Sequence, residues 1–235
     1  MKTFNKKALD AAATYSTTTS SAIDAGNIYS ASVQGVSTGS ATTGTLKLQG
    51  SNDMPASGAP YPTNGFTPTN WTDIASATVN FSGATTGLVP VTNICHQFLR
   101  VVFTPTAAGV QAITCLADAA GSLAGKYFLL ETANGAQKYA VWFSVSGGGS
   151  APVVSGYTAA EVAIVTGDTA SAVATALGTA LALLTGIASA TPSTATVTVT
   201  LSTAGQFVPA SDVDTGFTFA NNYGTMNARI KTINV

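Results

Sequence analysis

The sequence predicts a mainly β protein, an antiparallel β-sandwich combined with a small α+β domain in which one main helix lies on a small sheet. Three observations predict it. Short alternating runs recur through the first hundred residues, separated by Gly, Ser, Asn and Pro. A single helical stripe appears between strand patterns in the second half. A last alternating run closes the chain with a pattern like that of the first half.

The first-half strands follow in order. Ile28 to Val36 and Gly44 to Gly50 are β-rich runs flanked by Gly and Ser. In the second run Leu46 and Leu48 point one way, and Thr45, Lys47 and Gln49 the other. Ser51 to Asn70 reads as a loop, because Pro55, Pro60, Pro62 and Pro68 cannot donate to a central ladder. Trp71 to Ile74 restarts order, Ala77 to Phe81 alternates, and Phe98 to Phe103 is the strongest strand of this half.

The second half changes character. Gly125 to Glu131 and Lys138 to Val145 read as a hairpin joined through Asn134-Gly135. Gly147 to Ser150 reads as a turn rather than a phosphate loop, since no Lys follows it. Ala160 to Val165 is a further strand. Asp168 is then the expected N-cap of a helix over about 169–185. Val173, Leu177, Leu181 and Leu184 recur at i, i+4, i+8 and i+11, the single stripe of a helix packed on a sheet. That stripe, interspersed with Thr and Gly, reads against a membrane span. Thr196 to Leu201 alternates as a strand, and the half reads as a small antiparallel sheet carrying one helix. In the tail, Met226, Ala228 and Ile230 share one face, and Asn227, Arg229 and Lys231 the other, as in an outer strand of the first half.

Composition bounds the function. Of 235 residues only 8% are charged, with nine Lys and Arg against ten Asp and Glu, where soluble domains carry about 25%. Between Asp168 and Asp212 no side chain is charged. A chain that dispenses with charge has its surface covered in an assembly or works outside the cell. The balance lacks the basic excess expected for binding nucleic acid or an anionic membrane. Met1 to Lys7 is basic like a signal-peptide start, but Ala, Thr and Ser follow in place of an apolar core, so no secretory signal is expected.

Gly44 to Asn52, Trp71 to Ile74 and Phe98 to Pro105 together resemble small β-sandwich virion structural proteins of tailed bacteriophages. In that family the strand ending in Thr-Pro is followed shortly by a final strand like Gly224-Thr225-Met226-Asn227-Ala228, which here lies far downstream. The material between, from Gly125 through Trp142-Phe143 and Asp168-Thr169-Ala170 to the strand at 196–201, is similar to an α+β module of phage structural proteins. The resemblance implies a discontinuous sandwich domain, 1–108 plus 221–235, and an inserted α+β domain, 118–220. It implies a capsid decoration or auxiliary protein, or a neck or tail component. Its partners would be other virion proteins and copies of itself in a homo-oligomer. It would be located in the virion after synthesis in the host cytoplasm.

No catalytic residue, cofactor site or metal site is expected. His96 is the one His and has no Gly-x-Ser-x-Gly elbow to serve. Asp212 and Asp214 are two carboxylates without further acids nearby, a solvated loop rather than a Ca²⁺ site. Cys95 and Cys115 read as two buried thiols, with a disulfide between them as the alternative. Tyr61, Phe66 and Trp71 form the candidate interaction loop. Exposed, these aromatics would stack on sugars or anchor a partner, and the alternative function is a carbohydrate-binding or adhesin module. Buried, Trp71 packs in the core and the others cover it.

Overall fold

The computed structural model describes residues 3–13, 17–25, 30–39, 43–53, 66–205, 207–221 and 224–233. The strands are β1 (Thr3–Ala13), β2 (Thr18–Thr19), β3 (Ile23–Asp24), β4 (Ser30–Ser37), β5 (Thr43–Ser51), β6 (Thr72–Ser82), β7 (Thr85–Thr92), β8 (Phe98–Pro105) and β9 (Ala108–Thr114). They continue as β10 (Tyr127–Glu131), β11 (Lys138–Val145) and β12 (Thr158–Ile164). Helix α1 (Ala170–Leu181) follows. The remaining strands are β13 (Ile187–Ser193), β14 (Thr196–Ala204), β15 (Val208–Asp212), β16 (Thr218–Asn221) and β17 (Thr225–Ile233). The protein is mainly β, with several antiparallel sheets.

The chain divides into two compact units. The first comprises Met1–Thr106 with Gly224–Val235, and the second Ala107–Tyr223.

The first unit is β-sandwich-like. One sheet has the order β1-β17-β4-β7, the other β2-β8-β5-β6 with β3 also on β8, and every pair is antiparallel. Period-two alternation supplies the core. Val33, Met226, Ala228 and Ile230 from the first sheet meet Leu46, Leu48, Leu99, Val101 and Phe103 from the second, all fully buried. Two glycines let the layers approach. Gly35 and Gly87 are cross-strand partners on β4 and β7. A Cβ on Gly35 would lie 2.6 Å from Phe81 Cζ, and one on Gly87 would lie 2.0 Å from Val79 Cγ1.

Three readings of this half are corrected. β17 pairs with first-half strands, but as an interior strand between β1 and β4 rather than an outer one. The segments 72–74 and 77–81 are one strand, β6, irregular at Ser76, where φ is +61°. β1 and β7 carried too little apolar alternation to be read as strands. β7 holds Pro90, tolerated because the strand lies at the sheet's edge.

The second unit has two four-stranded sheets, β12-β11-β10-β15 and β13-β14-β9-β16, with α1 packed on β12, β13 and β14. It therefore differs from a single small antiparallel sheet, and β11 and β12 pair in parallel. β9 belongs here through its bonds to β14 and β16, although in sequence it directly follows β8 of the first unit. Phe128, Leu130, Val141 and Phe143 pack in one core with Val173, Leu177, Leu181, Val197 and Val199. Leu184 is only partly buried against that core.

The helix begins one residue later than expected. Thr169 is the N-cap, its Oγ1 accepting from the Ala172 N–H at 3.3 Å. Asp168 turns back, and its Oδ2 accepts from the Val165 N–H at 2.9 Å. The helix ends at Leu181 and the chain reverses at Gly186, whose φ of +90° suits glycine. Gly178 keeps α1 close to β13, since a Cβ there would sit 3.1 Å from Pro192 Cδ.

Candidate interaction surfaces

Alternation that buries one face of β5, β6 and β8 aims the other outward. On that outer face Lys47 Nζ donates to Asp73 Oδ2 at 2.6 Å, and Gln49 Nε2 donates to Asp73 Oδ1 at 2.7 Å. Arg100 Nε donates to Gln49 Oε1 at 2.7 Å. The guanidinium of Arg100 lies over the Trp71 ring, 4.2 Å from its centroid. The bonds from Lys47, then Gln49, hold the Asp73 carboxyl below its ordinary range.

This row receives the aromatic loop. Trp71 is half-buried, and its Nε1 donates to the Pro68 carbonyl at 3.0 Å. Phe66 stacks on Phe98 of β8 with ring centroids 5.6 Å apart. Tyr61 lies outside the described residues. Asp53 organises the approach to Trp71. Its carboxylate accepts from the Thr69 and Asn70 N–H groups at 2.6 and 2.8 Å, and from both their side chains. The Asn70 backbone donor, then its side chain and Thr69, bring the Asp53 carboxyl down to about 2. Trp71 therefore shares the intermediate environment expected of a cation–π partner, neither in the core nor standing free. The Asp53 clasp and the Arg100 row had no sequence signal beyond the outward parity of Lys47, Gln49 and Arg100.

A second surface is built from β13, β14, β9 and β16, which contain no Asp, Glu, Lys or Arg. Register aligns their outward residues in rows. Ser193, Thr196, Thr114 and Thr218 make one, and Thr191, Thr198, Ala112 and Ala220 the next. Ser189, Thr200 and Val110 form a third, shorter row. All eleven are exposed or partly exposed. The opposite parity, Ile113, Val197, Val199 and Leu201, is in the core. Thr has high strand propensity and forms favourable cross-strand pairs, and Thr114 and Thr196 share a hydroxyl bond at 3.3 Å.

Asp118, Asp212 and Asp214 are engaged locally. Asp118 is buried and accepts from the N–H groups of Gly121, Leu123 and Gly167 at 2.9–3.0 Å. Burial pushes its carboxyl up, but the three donors outweigh it and the net direction is down. Asp212 accepts from Thr215 and Gly216, while Asp214 accepts from the Tyr127 N–H and pairs with Lys126. Among the described residues no group of three or more His, Cys, Asp and Glu is placed to hold a metal. His96 is half-buried against Gly50, where a Cβ would lie 2.2 Å from the ring, and its Nδ1 has no partner among the described residues. Cys95 and Cys115 are free thiols, and Cys95 is exposed rather than buried. Burial pushes the Cys115 thiol up to about 12. Among the described residues no helix is long and apolar enough to cross a membrane.

Comparison with protein-family models, curated proteins and solved structures finds no match to this chain.

Proposed function

We propose that this chain is a structural protein of a tailed-phage virion, a capsid decoration or auxiliary protein or a neck or tail component. On this reading a sandwich domain carries an inserted α+β module, and the activity is contact rather than catalysis. The observation that carries the proposal is the charge-free face of β13-β14-β9-β16. Burying hydroxyls and methyls against a neighbour avoids the large desolvation cost of burying ions. Repetition in a particle then turns weak contacts into stable attachment. The sandwich pattern of the first unit and the sequence resemblance support the same reading. A sugar platform at Trp71 has less support, because Arg100 covers the ring and Pro68 takes its N–H.

The test is incorporation of tagged chains into particles. Wild type and His96→Ala are expected to incorporate equally. Thr198→Lys places a cation in the middle of the uncharged face and is expected to abolish incorporation with an unchanged melting temperature. Wild-type incorporation by folded Thr198→Lys would refute this use of the face.

A further inference from the structure

We propose that the outer face of β1 and β17 docks the β12 face of a second copy of this chain, with Arg229 and Lys231 meeting Glu161. This inference rests on the assembly reading above and names one of its partners.

Most of the described cations have a partner within their own unit. Lys7 pairs with Asp10, Lys47 with Asp73, Lys126 with Asp214 and Lys138 with Glu131, while Arg100 lies on Trp71. Among the described residues Lys6, Arg229 and Lys231 have no such partner, and all three stand on the paired strands β1 and β17. β17 is interior to its sheet, so the exposed Arg229 and Lys231 project from a sheet face rather than fray from an edge. A shallow groove of about 250 Å³ runs beside them, lined by Asn5, Ser32, Gln34 and Leu88. Leu88 is 63% exposed. Cations, amides and an apolar side chain together fit a protein surface carrying a carboxylate.

The complementary charge is in the other unit. The first unit holds seven of the nine Lys and Arg and four of the ten Asp and Glu, an excess of three positive charges. The second holds the other two and six, an excess of four negative. Most of these carboxylates are engaged locally. Glu161 is exposed on β12 between the exposed Ala159 and Ala163, and it has no ion-pair or hydrogen-bond partner among the described residues. Repeated from copy to copy, such a contact closes a dimer or a ring or builds a row of copies. Between exposed charges it is weakened by salt.

The experiment is sedimentation velocity of the full chain at low and high salt. Wild type is expected to self-associate at low salt and dissociate at high salt. The double variant Arg229→Glu/Lys231→Glu and the single variant Glu161→Lys are each expected to weaken association ~10-fold or more, with melting temperatures unchanged. Mixed in equal amounts they should associate again, because the reversed charges face each other only in the mixture. A wild type that stays monomeric, or a mixture that stays dissociated, overturns the inference. So does retention of monomeric wild type on heparin that the double variant loses, which would identify a polyanion as the occupant. The assembly reading fails separately, if wild-type chains never enter particles.

Discussion

Arg100 holds Trp71 against the outer face of the first unit, its guanidinium carbon 4.2 Å from the ring centroid and its Nε bonded to Gln49. The pair joins the loop before β6 to the middle of β8. Arg100→Ala should loosen the ring at a cost of about 0.5–1 kcal/mol for a partly exposed cation–π contact. In a Trp142→Phe background, Trp71 emission should shift to the red. Unchanged emission and stability would show the stacking to be incidental.

Gly35 and Gly87 should tolerate no side chain. Gly35→Val drives a branched group into Phe81 and Leu46, and Gly87→Val drives one into Val79. Overpacking of this kind costs about 1–3 kcal/mol. Urea unfolding should report the loss for each. A midpoint equal to wild type would mean that the two layers separate freely.

The Asp53 clasp predicts an acid-sensitive loop. Its folded-state pKa of about 2 is below the ordinary 3.8, so the carboxylate stabilises the folded loop above pH 3.8. That contribution is lost as pH falls from 3.8 through about 2. Comparing wild type with Asp53→Asn between pH 5 and about pH 2 should show a difference that shrinks with acid. A gap that stays constant across this range excludes the titration.

Asp118→Ala removes the acceptor from three N–H donors, one of them Gly167 in the turn before α1. Only the Leu123 bond is buried, and those of Gly121 and Gly167 are partly buried; leaving one buried donor unpaired costs about 1–3 kcal/mol, so thermal unfolding should shift by several degrees. Hydrogen exchange at Gly121, Leu123 and Gly167 should accelerate together. Protection retained at all three would argue that water substitutes for the carboxylate.

Leu181→Asp tests the helix face. Leu181 is fully buried with Leu177 and Val173, and an unpaired carboxylate there should cost several kcal/mol. Leu183→Asp, at a position 84% exposed, should leave the melting temperature within a degree or so. Equal effects at the two positions would misplace the stripe.

The sequence by itself determined the parts that repeat at a short period. The alternation of 44–50 and 98–103, the hairpin of 125–145, the helical stripe from Val173 to Leu181 and the buried parity of Met226, Ala228 and Ile230 are local patterns, and burial in the structure follows them. Strands β9, β13, β15 and β16, built of Ala, Thr, Ser and Gly with few large side chains, carry no such pattern, and only pairing made them strands. Tertiary structure also decided the parallel join of β11 to β12, the passage of β9 into the second unit and the interior place of β17. These are choices among neighbours distant in sequence, and alternation states which face is buried but not which strand lies alongside. The surfaces divide the same way. Phe66 and Trp71 were legible as a loop's aromatics. Arg100 over Trp71, Asp53 across to Asn70 and the Thr rows of four strands became visible only once register set those side chains side by side.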